Sequence, residues 1–337
     1  MKNIKLTYPA VLNYLEKQTP GLLGRWGDYQ FHINEDIDQC DYWVVYNGLL
    51  KSSEHVKCPR SNTIFVTGEP RTVCHYNKKL LDQFSHVISV QDNIRHPGLH
   101  KTLQITNWHV GIFMPGERGP YSKNYDELIA TKEIKKSKTL SIISSNKLGT
   151  SGHRKRYRFV VDLKKYFGNE VDLFGSGIND FKDKWEVLEP YRYSVAIENC
   201  SIDDYVTEKL FDCYLAHTFP IYYGAPNIGK YLPSESFLPI NINHLEESIK
   251  SIKKIIEDPD HYNQHLKYVM GAKIKYLNQY SFFPMIVNFI ETKLNNPGGI
   301  KEEITIKDYG HRSVTNFLGN FLGSELKGNI KKHLLKK

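Results

Sequence analysis

The sequence predicts two α/β domains facing each other, each built on a Rossmann-type parallel sheet, followed by an amphipathic, basic C-terminal helix. Three observations lead there. Short apolar runs alternate with stretches of helical period in the first third of the chain, the alternation lapses between Gly116 and Lys138, and it then restarts with new strands and helices. The 337 residues are also long for one domain and suited to two. The divisions read as a first domain over 1–125, a linker over 126–138, a second domain over 139–295 and a helical, basic tail over 296–337.

In the first domain DYWVVYNG (41–48), NTIFVTGE (62–69) and HVISVQD (86–92) read as buried strands, with a helix predicted over TVCHYNKKLLDQF (72–84). Gly, Pro, Ser and Asn, then the charge-rich TKEIKKSK, mark the connection. In the second domain KTLSIISSN (138–146), EVDLFGSG (170–177), YRYSVAIEN (191–199), FPIYYGAP (219–226) and ESFLPIN (235–241) read as strands. Helices are predicted over HRKRYRFVVDLKKYF (153–167), from about Asp203 to His217, and over LEESIKSIKKIIED (245–258). Ligands of open α/β sheets bind at the carboxyl ends of the strands. Here those ends read SSN, FGSG, IEN and YYG, small and polar where a site belongs.

Composition bounds the function. Hydrophobic residues at 40% and charged residues at 24% give a chain with a core, and exclude a disordered class. Cys40, Cys58, Cys74, Cys200 and Cys213 form no CxxC pair and are odd in number, against a disulfide framework or a zinc site and in keeping with a reducing compartment. The N-terminus has no apolar run of signal-peptide length, and nothing approaches the roughly 18 apolar residues of a membrane span. The expected location is the cytoplasm, with peripheral contact to the inner face of the membrane.

The net charge is +8, and half of it lies after residue 324, where five lysines face Glu325 alone. With Phe317, Leu318, Phe321, Leu322, Ile330, Leu334 and Leu335 interleaved, that tail reads as a basic amphipathic helix, and residues 326–337 as a contact for an anionic membrane surface. A second basic knot, HRKRYR at 153–158, points to phosphate. Basic charge without interleaved aromatics or a base-reading motif excludes nucleic acid as the partner. The triplets Asp36-Ile37-Asp38 and Asp258-Pro259-Asp260 lie away from the polar strand ends, so no metal site is assigned.

The helix after IEN is the informative one. Val206, Leu210, Cys213, Tyr214 and His217 share one face, and Ser201, Asp203 or Asp204 are its expected caps. Acids in the first turn suit the helix dipole, but Lys209 does not. A cation there is explained by an anion, since a helix N-terminus with a lysine is a phosphate site.

The segment YSVAIENCSIDDYVTEKLFDCYLAHTFPIYYGAPNI (193–228) resembles the signature of the family 10 glycosyltransferases, the α1,3/4-fucosyltransferases, in their bacterial form. The resemblance runs through Glu198-Asn199, then Tyr205-Val206-Thr207-Glu208-Lys209-Leu210, then Pro220-Ile221, Gly224 and Pro226, with Cys200 where the family has Ser or Thr. It implies the GT-B arrangement, with a nucleotide-sugar site in the second domain. By the resemblance Lys209 and an upstream arginine hold the donor diphosphate. Arg156 aligns best after Ser145-Asn146, with Arg154 as the competing choice. Guanidinium suits a diphosphate through its two-pronged hydrogen bonding. IFVTGEP (64–70) resembles the family's T-G-E strand end, making Glu69 the candidate base. ITNWHVGI (105–112) resembles, more weakly, the segment before the linker, and His109 in it reads as a packed histidine.

What the resemblance implies is inverting transfer of fucose from GDP-β-L-fucose to a hydroxyl of an oligosaccharide or lipid-linked glycan, α1,3-type, as in lipopolysaccharide or capsule synthesis. Glu69 acts as base, Asn199, Tyr205 and Glu208 hold donor groups, and Arg156 and Lys209 offset leaving-group charge without an obligatory metal. Glu198 and Gly175 are further candidates beside the donor. Two alternatives stand: the same scaffold with another nucleotide-activated deoxysugar, and a sugar-nucleotide-binding protein without turnover.

Overall fold

The computed structural model describes residues 1–9, 15–112, 122–144, 149–175, 178–294 and 299–313. The first domain contains β1 (Lys2–Thr7), β2 (Arg25–Trp26), β3 (Tyr29–Ile33), β4 (Tyr42–Tyr46), β5 (Ser53–Cys58), β6 (Thr63–Val66), β7 (Cys74–Tyr76), β8 (His86–Ile88) and β9 (Leu99–His100). Seven of them form a sheet in the order β2-β3-β1-β4-β6-β8-β9, parallel except where β2 meets β3. A strand buried on both faces needs apolar residues throughout, and β4 shows why YWVVY qualifies. Tyr42, Val44 and Tyr46 enter one core, while Trp43 and Val45 enter the other.

The helix predicted over 72–84 is mostly absent. Its place is taken by β7 and a single turn, α1 (Lys78–Leu81), capped by the Asn77 side chain. Tertiary pairing overrides the local period here, because β7 has a partner from the far end of the chain.

After α2 (Tyr125–Ala130) the second sheet begins. Its strands β10 (Lys138–Ile143), β11 (Val171–Phe174), β12 (Tyr191–Ile197), β13 (Phe219–Tyr223) and β14 (Leu238–Pro239) are all parallel, in the order β11-β10-β12-β13-β14. The order reverses between β10 and β12, which is where an open sheet forms its ligand crevice. Helices α3 (Ser151–Phe167), α4 (Glu208–Leu215), α5 (Leu245–Glu257) and α6 (His261–Lys275) belong to this domain. On α5 the residues Ile249, Ile252 and Ile255 fall on one buried stripe; each buried isoleucine contributes about 1.5–3 kcal/mol.

A π-helical turn at Tyr276–Tyr280 leads to α7 (Phe282–Lys293), which packs on the first domain. Phe282 stands edge-on to Tyr8 at 5.8 Å and Tyr46 at 5.4 Å, and Phe283 to Phe31 at 4.8 Å. The tail then opens as strand, where a helical segment was expected. In β15 (Glu302–Lys307) the alternation places Ile304 and Ile306 inward, and it pairs antiparallel with β5. Finally β16 (His311–Ser313) pairs with β7. The expected amphipathic helix and residues 326–337 lie outside the described residues. Among the described residues no helix is long and apolar enough to cross a membrane, and all five cysteines are free.

The connector is held by two lysines, half-buried Lys136 and buried Lys273. Lys136 donates to the carbonyls of Glu189 and Ala216, and Lys273 donates to the Thr131 carbonyl and meets His217 Nε2 at 2.9 Å. Burial, reinforced by Lys273 and Lys136, pushes His217 down to about 3. The unfolded chain therefore takes up this proton near pH 6.5 while the folded chain resists it, so stability is lost as pH falls from about 6.5 toward 3. His217→Asn removes the titration and tolerates the positive φ of 53° at this position. Urea midpoints should fall less steeply below pH 6.5 in the variant than in the parent; parallel curves would count against this coupling.

Candidate active site

At the sheet's reversal point, α3 follows β10 and the Glu198–Thr207 loop follows β12. Thr150 caps α3 by accepting from the His153 amide. Gly152 then runs so close to the loop that an added Cβ would lie 1.9 Å from the Asn199 carbonyl oxygen. One turn on, Arg156 is buried and donates through Nη1 to Asn199 Oδ1 at 2.6 Å. Arg154, two residues earlier on the same helix, is exposed.

The start of α4 differs from the expected one. Thr207, not Ser201, Asp203 or Asp204, is the cap, accepting from the Lys209 amide. Asp204 has a positive φ of 64°, and its carboxylate accepts from Asn227 Nδ2 and Tyr231 OH. The sequence pattern offered two acids and a serine as caps, and the tight turn at Asp204 delays the helix past all of them.

Thr207 has a second task. Its amide and hydroxyl both donate to the fully buried Glu198, at 2.7 Å and 2.8 Å. Lys209 Nζ lies 3.3 Å from Glu198, 3.4 Å from Glu208 and 2.9 Å from Thr207 Oγ1. The early-helix cation thus has protein anions beside it. Burial pushes the Glu198 carboxyl up, against the pull of Lys209 and the Thr207 donors. Burial also acts to raise Glu208, but Lys209, Lys184 and His109 outweigh it and hold that carboxyl well below the ordinary range.

Tyr205 is buried, and after burial itself the charges of Glu198 and Glu69 raise its hydroxyl furthest. Glu69 is half-buried after β6, close enough for its charge to act on the Tyr205 hydroxyl. Its backbone is fixed twice: the amide donates to Tyr76 OH at 3.1 Å, and the carbonyl accepts from Gln91 Nε2 at 2.8 Å. Burial pushes the Cys200 thiol of the Glu198–Thr207 loop up to about 11, against the pull of Thr72. Gly175 ends β11, with φ 148° and its amide donating to the Asn179 carbonyl. Its strand lies on the other side of β10 from β12.

Three further residues enter the site. Lys184 lies 2.8 Å from Asp212 and 3.6 Å from Glu208, and His109 Nδ1 comes within 3.9 Å of Glu208. His109 is thus near the Glu208 carboxylate, and burial is the main cause that pushes its imidazole down. Asp212 was legible in principle as the one acid in the apolar run LFDCYL. Lys184 carried no local signal. Among the described residues no group of three or more His, Cys, Asp or Glu is placed to hold a metal ion.

Residues 133–287 match the model of glycosyltransferase family 10 (fucosyltransferase), C-terminal part. The alpha-(1,3)-fucosyltransferase FucT of Helicobacter pylori is 32% identical over 122 residues, 34% of this chain and 25% of the relative. The GDP-fucose protein O-fucosyltransferase 3 of Danio rerio is 35% identical over 91 residues, 27% of this chain and 19% of the relative. The chain therefore matches a quarter or less of the length of these relatives. Among solved structures, an alpha1,3-fucosyltransferase aligns with TM-score 0.53 at 19% identity, over 89% of this chain and 91% of the other. The structure of an alpha1,3-fucosyltransferase with GDP-fucose aligns with TM-score 0.51 at 20% identity, over 89% and 92%. At that identity the likeness speaks to the fold, which is the GT-B arrangement of two α/β domains. Through residues 133–287 the chain is similar to glycosyltransferase family 10, the fucosyltransferase family.

Proposed function

We propose that the protein transfers fucose from GDP-β-L-fucose to a hydroxyl of a glycan acceptor, with inversion and in a single displacement. The observation that carries this reading is the convergence of Arg156, Asn199, Glu208 and Lys209 at the reversal point of the second sheet, with Glu69 of the first domain close enough for its charge to act on the Tyr205 hydroxyl. In the reading, Glu69 takes the acceptor proton as the bond from C1 to the diphosphate breaks. Negative charge grows on the departing GDP, and Arg156, Lys209 and the N-terminus of α4 stabilise it. Asn199 fixes Arg156 while Glu208 engages sugar hydroxyls. The Lys209–Glu198 ion pair supports the same reading, because it keeps the ammonium oriented before a diphosphate arrives.

The test is a panel of nucleotide sugars in a donor hydrolysis assay, followed by an acceptor array with the best donor. GDP-fucose should lead the panel. The array holds fucose-accepting glycans and, because one relative is a protein O-fucosyltransferase, serine- and threonine-bearing peptides. Preference for a donor other than GDP-fucose would replace the donor assignment, and binding without hydrolysis or transfer would replace the enzymatic one.

A further inference from the structure

Among the described residues the cationic partners of Glu208 gather on one carboxylate oxygen. Lys209 Nζ at 3.4 Å, Lys184 Nζ at 3.6 Å and His109 Nδ1 at 3.9 Å all end on the same oxygen, Oε1. The three come from three different segments: α4 itself, the turn before β12, and the first-domain stretch that leads to the connector. Lys184 is 11% exposed and Asp212, its nearer partner, 1%. Asp212 also accepts from two consecutive first-domain amides, His109 at 3.0 Å and Val110 at 3.4 Å. The next amide, Gly111, donates to Asp183 at 2.9 Å, and Asp183 accepts from the Ser122 hydroxyl as well. Two carboxylates of the second domain thus capture three amides in a row from the first, and Lys184 sits between that staple and Glu208.

We propose that Lys184 is a positioning residue for the sugar half of the donor. It fixes the Glu208 carboxylate through Oε1, so that Oε2 is presented to sugar hydroxyls, and Asp212 ties this arrangement to the first-domain segment His109–Gly111. The proposal deepens the donor-site reading above and rests on it. A buried lysine between two carboxylates has a purely structural alternative, since removing one member of a buried ionic group destabilises any fold. The two roles differ in what they do to ligands. A structural lysine supports GDP and GDP-sugar binding alike, whereas one that acts through Glu208 supports only the sugar.

The experiment is isothermal titration of GDP and of GDP-β-L-fucose into the full chain and into Lys184→Met. The variant is expected to lose GDP-fucose affinity by roughly tenfold to a hundredfold, the range for a hydrogen bond to a charged group, while its GDP affinity stays at the parent value. Equal losses for both ligands, or no loss for either, would overturn the positioning role. Should Lys184→Met fail to fold, Lys184→Gln keeps a donor toward Asp212 without the charge and undergoes the same comparison. A parent chain that binds neither ligand would instead overturn the donor-site reading itself, and the proposal with it.

Discussion

Glu69→Gln is expected to slow fucosyl transfer by about 10²–10⁴-fold, the usual contribution of a positioned general base, while GDP-fucose affinity holds. The substitution is close to isosteric and meets a backbone fixed by Tyr76 and Gln91, so the amide occupies the carboxylate's place without its basicity. Initial rates with saturating acceptor, alongside donor titrations, separate the two quantities. Undiminished transfer would move the base to another residue. A parallel loss of donor affinity would assign Glu69 to binding.

Lys209→Ala should have the second large effect, and it acts on two quantities at once. Loss of a cation beside the departing diphosphate is expected to reduce transfer by about 10²–10³-fold. The same change leaves Glu198, fully buried, without its ion-pair partner, at a cost of about 3 kcal/mol in unfolding free energy. Adding Glu198→Gln removes the orphaned charge. The double variant should therefore regain much of the stability while transfer stays low. Urea unfolding and initial rates on the two variants test this. Recovery of both together would reduce Lys209 to a structural counter-ion of Glu198.

The sequence was most legible where a local pattern has a single physical cause. The continuous apolar runs YWVVY and FPIYY became parallel strands because only a sheet covered on both faces accommodates them. Arg156 is preferred in the HRKRYR knot on its alignment with the family motif, and the helix that begins after Thr150 buries it against Asn199. Legibility failed where distant chain decided the outcome. The stretch 72–84 has a helical period, yet β7 forms because residues 311–313 arrive to pair with it. The capping of α4 passed from the acids to Thr207 because Asn227 and Tyr231 draw Asp204 into a turn. Lys184 could not be found from neighbours in sequence, since its partners lie 24 and 28 residues away. The Glu198–Thr207 contact sharpens the meaning of the signature. Its E-N and T-E-K parts are one hydrogen-bonded unit, so the spacing between them fixes a loop as well as a ligand set.

The chain passes between the domains twice, once through the connector and once at the π-helical turn before α7. A body tethered at one point can swivel in any direction, but one tethered at two is confined to bending about the line through both tethers. The return passage is also stitched down, first by aromatic rings of α7 and then by the β15–β5 and β16–β7 pairings. Any opening or closing of the crevice is thus restricted to one axis.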